Sequence, residues 1–67
     1  MSLRNKMIYA IQAIDLVGGG SRVSSEAYST YEKAKEFCEK RRNAERKNDY
    51  IFSNEYFQYR IIPLNVV

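Results

Sequence analysis

Histidine is absent from the 67-residue chain, and cysteine and proline occur once each, as Cys38 and Pro63. Without an imidazole the chain lacks the side chain most often used for proton transfer near neutral pH, and no Ser-His-Asp or Cys-His nucleophile can be assembled within one copy. A single cysteine excludes an internal disulfide framework and any cysteine-cluster zinc site, so a reducing, cytoplasmic setting is expected. Long apolar runs are also missing: the stretch from Met7 is interrupted by Gln12 and Asp15. That falls short of a membrane span and of the unbroken core of a secretory leader, so no membrane partner is expected.

Glycine occurs only as Gly18, Gly19 and Gly20, beside Ser21 and Arg22. A phosphate-binding P-loop needs a second glycine followed by Lys-Ser/Thr and opening into a helix, and Ser21-Arg22 does not supply that pair. The dinucleotide fingerprint fails too, because its third glycine position is occupied by Val23. The triplet therefore reads as a hairpin connection between two extended segments.

What the chain does contain is enough apolar material to fold: 45% hydrophobic residues, six tyrosines and three phenylalanines. Its length predicts a single domain over 1–67, with residues 1–6 as a loose leader, burying about 60% of its unfolded surface. From Met7 to Val17, "MIYAIQAIDLV", β-branched and aromatic residues give a strand apolar on both faces, which suits a central position. "SRVSSEAYS" is a polar, edge-type strand. In "STYEKAKEFCEKRRNAERK", Ser29 and Glu32 have capping-box spacing, with Thr30 as a rival N-cap. Tyr31, Ala34, Phe37, Cys38 and the stem of Arg41 then share one helix face. After "YIFSN", in which Tyr50 to Phe52 are candidates for a further short strand, "EYFQYRIIPLNV" reads as the last strand, with Pro63 tolerated only near a strand end, at a bulge or on an edge, of which the edge suits the simplest topology. The resulting expectation is an α+β domain of ββαβ order: a three-stranded antiparallel sheet, order 2-1-3, with one helix packed on one face.

Chemistry-bearing residues are few. Cys38 lies beside Phe37 on the apolar helix face, where a small thiol packs well. Glu32, Glu36 and Glu39 match no metal-ligand spacing and read as a solvated face with i, i+4 charge pairs. No catalytic, cofactor or metal site is expected, and the chain is read as a non-enzyme. Residues 40–47 are more pronounced: Lys40, Arg41, Arg42, Arg46 and Lys47 against Glu45 give a net +4, while the whole chain carries +3. Dipole matching at a helix C-terminus accounts for the order of these charges, and a phosphate-contacting patch accounts for their number. Tyr9, Tyr31 and Tyr59 suit the core, whereas Tyr56 alternates with Gln58 and Arg60 along one strand face.

From Ile8 to Arg42, the order of extended segment, glycine turn, second extended segment and "STYEKAKEF" is similar to the arm-binding domain of phage integrases, which enters its helix through a Thr-containing stretch. Thr30 and Ala34 carry the likeness. One strand fewer before the helix and another after it depart from that pattern, and no binding residues are carried over.

One helix cannot cover two faces of a sheet. With Tyr9, Ile11, Ala13, Phe57, Tyr59 and Ile61 toward the helix, the opposite face presents Ile8, Ala10, Gln12, Ile14, Tyr56, Gln58, Arg60 and Ile62. A mixed apolar and polar face of this kind suits another protein surface or a second copy of the chain. The leading expectation is a self-associating interaction or assembly module. The alternative is a nucleic-acid-binding module using the basic stretch.

Overall fold

A computed structural model describes residues 6–66, with only the backbone described for 24–26 and 66. The strands are β1 (Lys6–Asp15), β2 (Ser21–Tyr28), β3 (Glu45–Asn48), β4 (Ile51–Ser53) and β5 (Phe57–Val66). Helix α1 (Tyr31–Glu36) follows β2 and runs directly into a π-helical turn, Phe37–Arg41. Of the expected leader, residues 1–5 lie outside the described residues, and Lys6 already belongs to β1.

The expected three-stranded ββαβ domain is corrected to a five-stranded antiparallel sheet of order β2-β1-β5-β4-β3, with three strands after the helix. The difference arises at residues 45–53. Charges there extend the helical pattern on paper, yet Asn43 takes a left-handed backbone (φ 54) that stops it, and the chain turns back as the β3–β4 hairpin. The basic stretch is thereby divided, with Lys40, Arg41 and Arg42 at the helix end and Arg46 and Lys47 on β3.

The same hairpin overturns the edge assignment of the last strand, because β4 lies alongside β5. Pro63 is nonetheless accommodated. The Ile61 amide points toward the β4 side, donating to the Tyr50 carbonyl at 2.8 Å, so the Pro63 nitrogen two residues on faces the same way. There β4 has ended, since its pairing reaches only from Ser53↔Gln58 to Ile51↔Arg60. No ladder bond is lost.

Strand β1 is interior, between β2 and β5, and pairs with β5 along its whole length from Lys6↔Val66 to Asp15↔Phe57. Its pairing with β2 shifts register between Ala10 and Gln12, where β2 carries three residues opposite Ile11. The β1–β5 ribbon runs past the last pair of β2 (Tyr9↔Tyr28) and past the end of β4, which helps draw the molecule out to 49 × 21 × 18 Å. Its radius of gyration, 12.9 Å, exceeds the ~11 Å of a compact domain of this length.

The core lies between α1 and one sheet face: Ile11, Ala34, Cys38, Ala44, Phe52, Tyr59 and Ile61 form one cluster, with Tyr9, Ala13, Tyr28, Tyr31 and Phe37 packed against it. Alternation explains the set, because Ile11↔Ile61, Ala13↔Tyr59 and Phe52↔Tyr59 are cross-strand partners on the same face. Small residues at Ala34 and Cys38 let the helix sit close. Thr30, and not Ser29, is the N-cap: its hydroxyl accepts the Lys33 amide at 3.2 Å. Thr30→Ala should therefore lower the urea-unfolding free energy by about 1 kcal/mol, whereas Ser29→Ala should leave it within experimental error.

Candidate functional site

The sheet face opposite α1 is built by the alternate residues of β1, β5 and β4. Register aligns Ile8 with Leu64, Ala10 with Ile62, Gln12 with Arg60 and Ile14 with Gln58, and β4 extends the last two rows through Ile51 and Ser53. The rows at the ribbon end are aliphatic, and those toward the Gly18–Gly20 hairpin mix amide, hydroxyl and guanidinium groups with Ile14 and Ile51. Ala10 is buried, Ile8, Gln12, Ile14, Ile51, Gln58 and Ile62 are half-buried, and Leu64 and Arg60 are exposed. Seven of the eight residues expected on this face are brought together. Tyr56 lies in the turn before β5, where its carbonyl accepts the Leu16 amide at 2.9 Å and its ring is 60% exposed.

The basic residues do not form one continuous surface stretch. Arg46 lies 3.9 Å from Asp49 and Lys47 lies 3.8 Å from Glu45, both exposed pairs of small energetic weight. Arg41 and Arg42 flank the Phe37 ring, with the Arg42 guanidinium 4.9 Å from its centroid. The π-helical turn, closed by the Arg42 amide donating to the Phe37 carbonyl at 3.2 Å, sets Arg42 there.

On the helix side, the sheet beyond Arg42 is uncovered and forms an open groove of about 520 Å³. Ala13, Phe57 and Tyr59 line it together with Arg22 from β2, Arg42, Asp15 and Gly19 to Ser21. A neighbouring hollow shares Ala13, Arg22, Arg42 and Tyr59 and extends to Ile11 and Phe37. Phe57 and Tyr59 are ring neighbours, with centroids 5.9 Å apart.

Two short side chains fix the rims of this groove. Asp15 Oδ1 accepts the amides of Val17 and Gly18, each at 2.9 Å, which closes the hairpin and holds the carboxyl below its usual range, the Gly18 bond contributing most. Gly19 and Gly20 have φ of 82° and 92°, a region glycine enters without steric cost. Asn54 works from the other side: its Nδ2 donates to the Arg42 carbonyl at 2.9 Å, while its Oδ1 accepts the Tyr56 and Phe57 amides at 2.9 Å each. One side chain thus ties Arg42 to the start of β5.

Cys38 belongs to the core. It is fully buried, and burial, reinforced by the charge of Glu39, pushes its thiol up to about 11, far from the thiolate a nucleophile needs. Glu32, Glu36 and Glu39 do not converge with other donors, and no group of three or more Cys, Asp or Glu side chains suited to a metal ion occurs among the described residues. No helix among those residues is long and apolar enough to cross a membrane.

Neither Asn54 nor the pairing of Arg22 with Arg42 is marked by a sequence motif. The available signal was an Asn shortly before a strand, which suits an Asx-turn. Compared with known proteins, the chain matches no family model, no curated protein and no solved structure.

Proposed function

We propose that this chain is a non-enzymatic assembly module that associates with a second copy of itself through the open sheet face. The observation that carries the reading is the one-sided cover of the sheet. A single short helix packs against one face, and the other leaves Ile8, Ile14, Ile51 and Ile62 half-buried and Leu64 exposed. Among the described residues few large side chains are buried within one copy: of the eight buried apolar residues there, Ile11, Phe52, Tyr59 and Ile61 are the large ones. A domain of this size is commonly completed by oligomerisation.

A second copy is the favoured occupant because the shortfall is intrinsic to the chain and is present wherever it folds. Another copy supplies the same flat strip of Ile8, Ala10, Ile62 and Leu64, and aliphatic sheet faces pack against each other about 10 Å apart. Gln12, Gln58 and Arg60 then fix the register of the two sheets, since polar groups at an interface specify alignment more than they add affinity.

Sedimentation equilibrium tests this. The wild-type chain should be a dimer at micromolar concentration, and Ile62→Lys, which sets a charge in the aliphatic strip, should weaken the dimer by at least ~100-fold while leaving the far-ultraviolet circular dichroism unchanged. A monomeric wild-type chain at several hundred micromolar would overturn the reading.

A further inference from the structure

We infer that the groove between the Gly18–Gly20 hairpin and the helix end is a binding site for a nucleoside phosphate. It lies on the sheet face opposite the assembly surface and does not depend on that surface being used.

Charge is the first argument. Arg22 comes from β2 and Arg42 from the end of the π-helical turn, twenty positions apart, yet both line the groove and the adjoining hollow. Neither makes an ion pair among the described residues, whose pairs are Arg46–Asp49 and Lys47–Glu45. Two arginines lining one concavity suit a phosphate, which accepts the planar array of N–H donors a guanidinium carries. The Arg42 stem is held in position on two sides, by Asn54 at its backbone carbonyl and by the Phe37 ring beneath its guanidinium.

Shape and polarity narrow the ligand further. Phe57 and Tyr59 are neighbouring rings in the same groove; Tyr59 is 6% exposed and backs it, while Phe57, 36% exposed, offers the ring on which a nucleobase of any identity stacks. Asp15 also lines the groove. Its Oδ1 is engaged by two backbone amides, and Oδ2 makes no hydrogen bond among the described residues. A carboxylate oxygen in the same groove as two arginines accepts a hydroxyl, as acidic residues do for ribose in nucleotide sites. Phosphate, sugar hydroxyl and ring together specify a nucleoside phosphate, either free or as a unit of a single strand. Around Gly19 and Gly20 nothing lies within 4 Å of where a Cβ would stand, so the hairpin backbone is open to approach.

Amide NMR titration of the full chain with AMP, adenosine, inorganic phosphate and a single-stranded tetranucleotide tests the assignment. AMP should move the signals of Gly19, Gly20 and Tyr59. Arg22→Gln and Arg42→Gln should each raise the AMP Kd at least ~10-fold, while Lys33→Gln, exposed on α1 and outside the groove with the same change in charge, should not alter it. Tighter AMP binding assigns a free nucleotide and tighter tetranucleotide binding a single strand, and both uphold the site. The proposal is overturned by unmoved signals at millimolar AMP, by phosphate or adenosine binding as tightly as AMP, or by an equal loss in Lys33→Gln.

Discussion

Phe52→Ala should leave most of the chain unfolded in urea concentrations that the wild type tolerates. Phe52 is fully buried at the centre of the three-residue β4, in one cluster with Ala34, Cys38, Tyr59 and Ile61. Removing a buried phenylalanine ring costs about 3–5 kcal/mol, whereas a chain of this length has only ~3–10 kcal/mol of total stability. The small residues Ala34 and Cys38 cannot grow into the space, so the cavity persists. Phe57→Ala, at an exposed ring, provides the comparison and should cost about 1 kcal/mol. Equal losses for the two variants would mean that β4 is not docked against the helix.

Alkaline pH should destabilise the fold through Cys38. Below pH 9 the thiol is neutral in both folded and unfolded chains and contributes no pH dependence. Above its ordinary value of 9.0 the unfolded thiol releases its proton, while the folded one, raised by burial to about 11, retains it. The unfolded state then binds fewer protons, so stability falls as pH rises, by up to ~1.4 kcal/mol per unit, and levels off near pH 11. The accumulated loss is about 3 kcal/mol. Tyr31 acts in the same direction at higher pH, since burial and then the charge of Asp49 raise it above its ordinary 10.0. Urea midpoints at pH 8 and pH 10.5 should therefore diverge more for the wild type than for Cys38→Ala, which retains Tyr31 but lacks the thiol. Parallel shifts in the two proteins would assign the alkaline loss to other groups.

The elements differ in how plainly the residues announced them. β1 was legible because both of its faces are apolar, a pattern that suits an interior strand, and it lies between β2 and β5. The helix entry was legible to within a residue because capping depends on local chemistry, although the capping-box spacing points first to Ser29 and the cap is Thr30. β3 was not, since "ERKN" is exposed throughout and carries no period-two alternation; its backbone pairing with β4 places it there. β5 was taken for an edge because of Pro63, and the three residues of β4 that cover one side of it are too few to show a periodicity. The sequence leaves open whether the helix continues past Arg42, since the charges there have no apolar stripe beside them, and Asn43 ends it. For the sites, the open face follows from simple alternation along β1 and β5. The groove does not, because Arg22, Arg42, Asp15 and Phe57 meet only after the hairpin and the helix end are brought to the same end of the sheet.

The place of β5 between β1 and β4 has a consequence for how the chain comes off the ribosome. Every other element is synthesised before the strand that joins them, and β4 has no partner except β3 until Phe57 onward is available. The β1–β5 contact spans nearly the full sequence, from Lys6 to Val66. Closing that separation is slow relative to local pairing. Until β5 is available, the β1–β2 and β3–β4 hairpins have no strand to join them, so the sheet is completed only by the pairing of β5 with both.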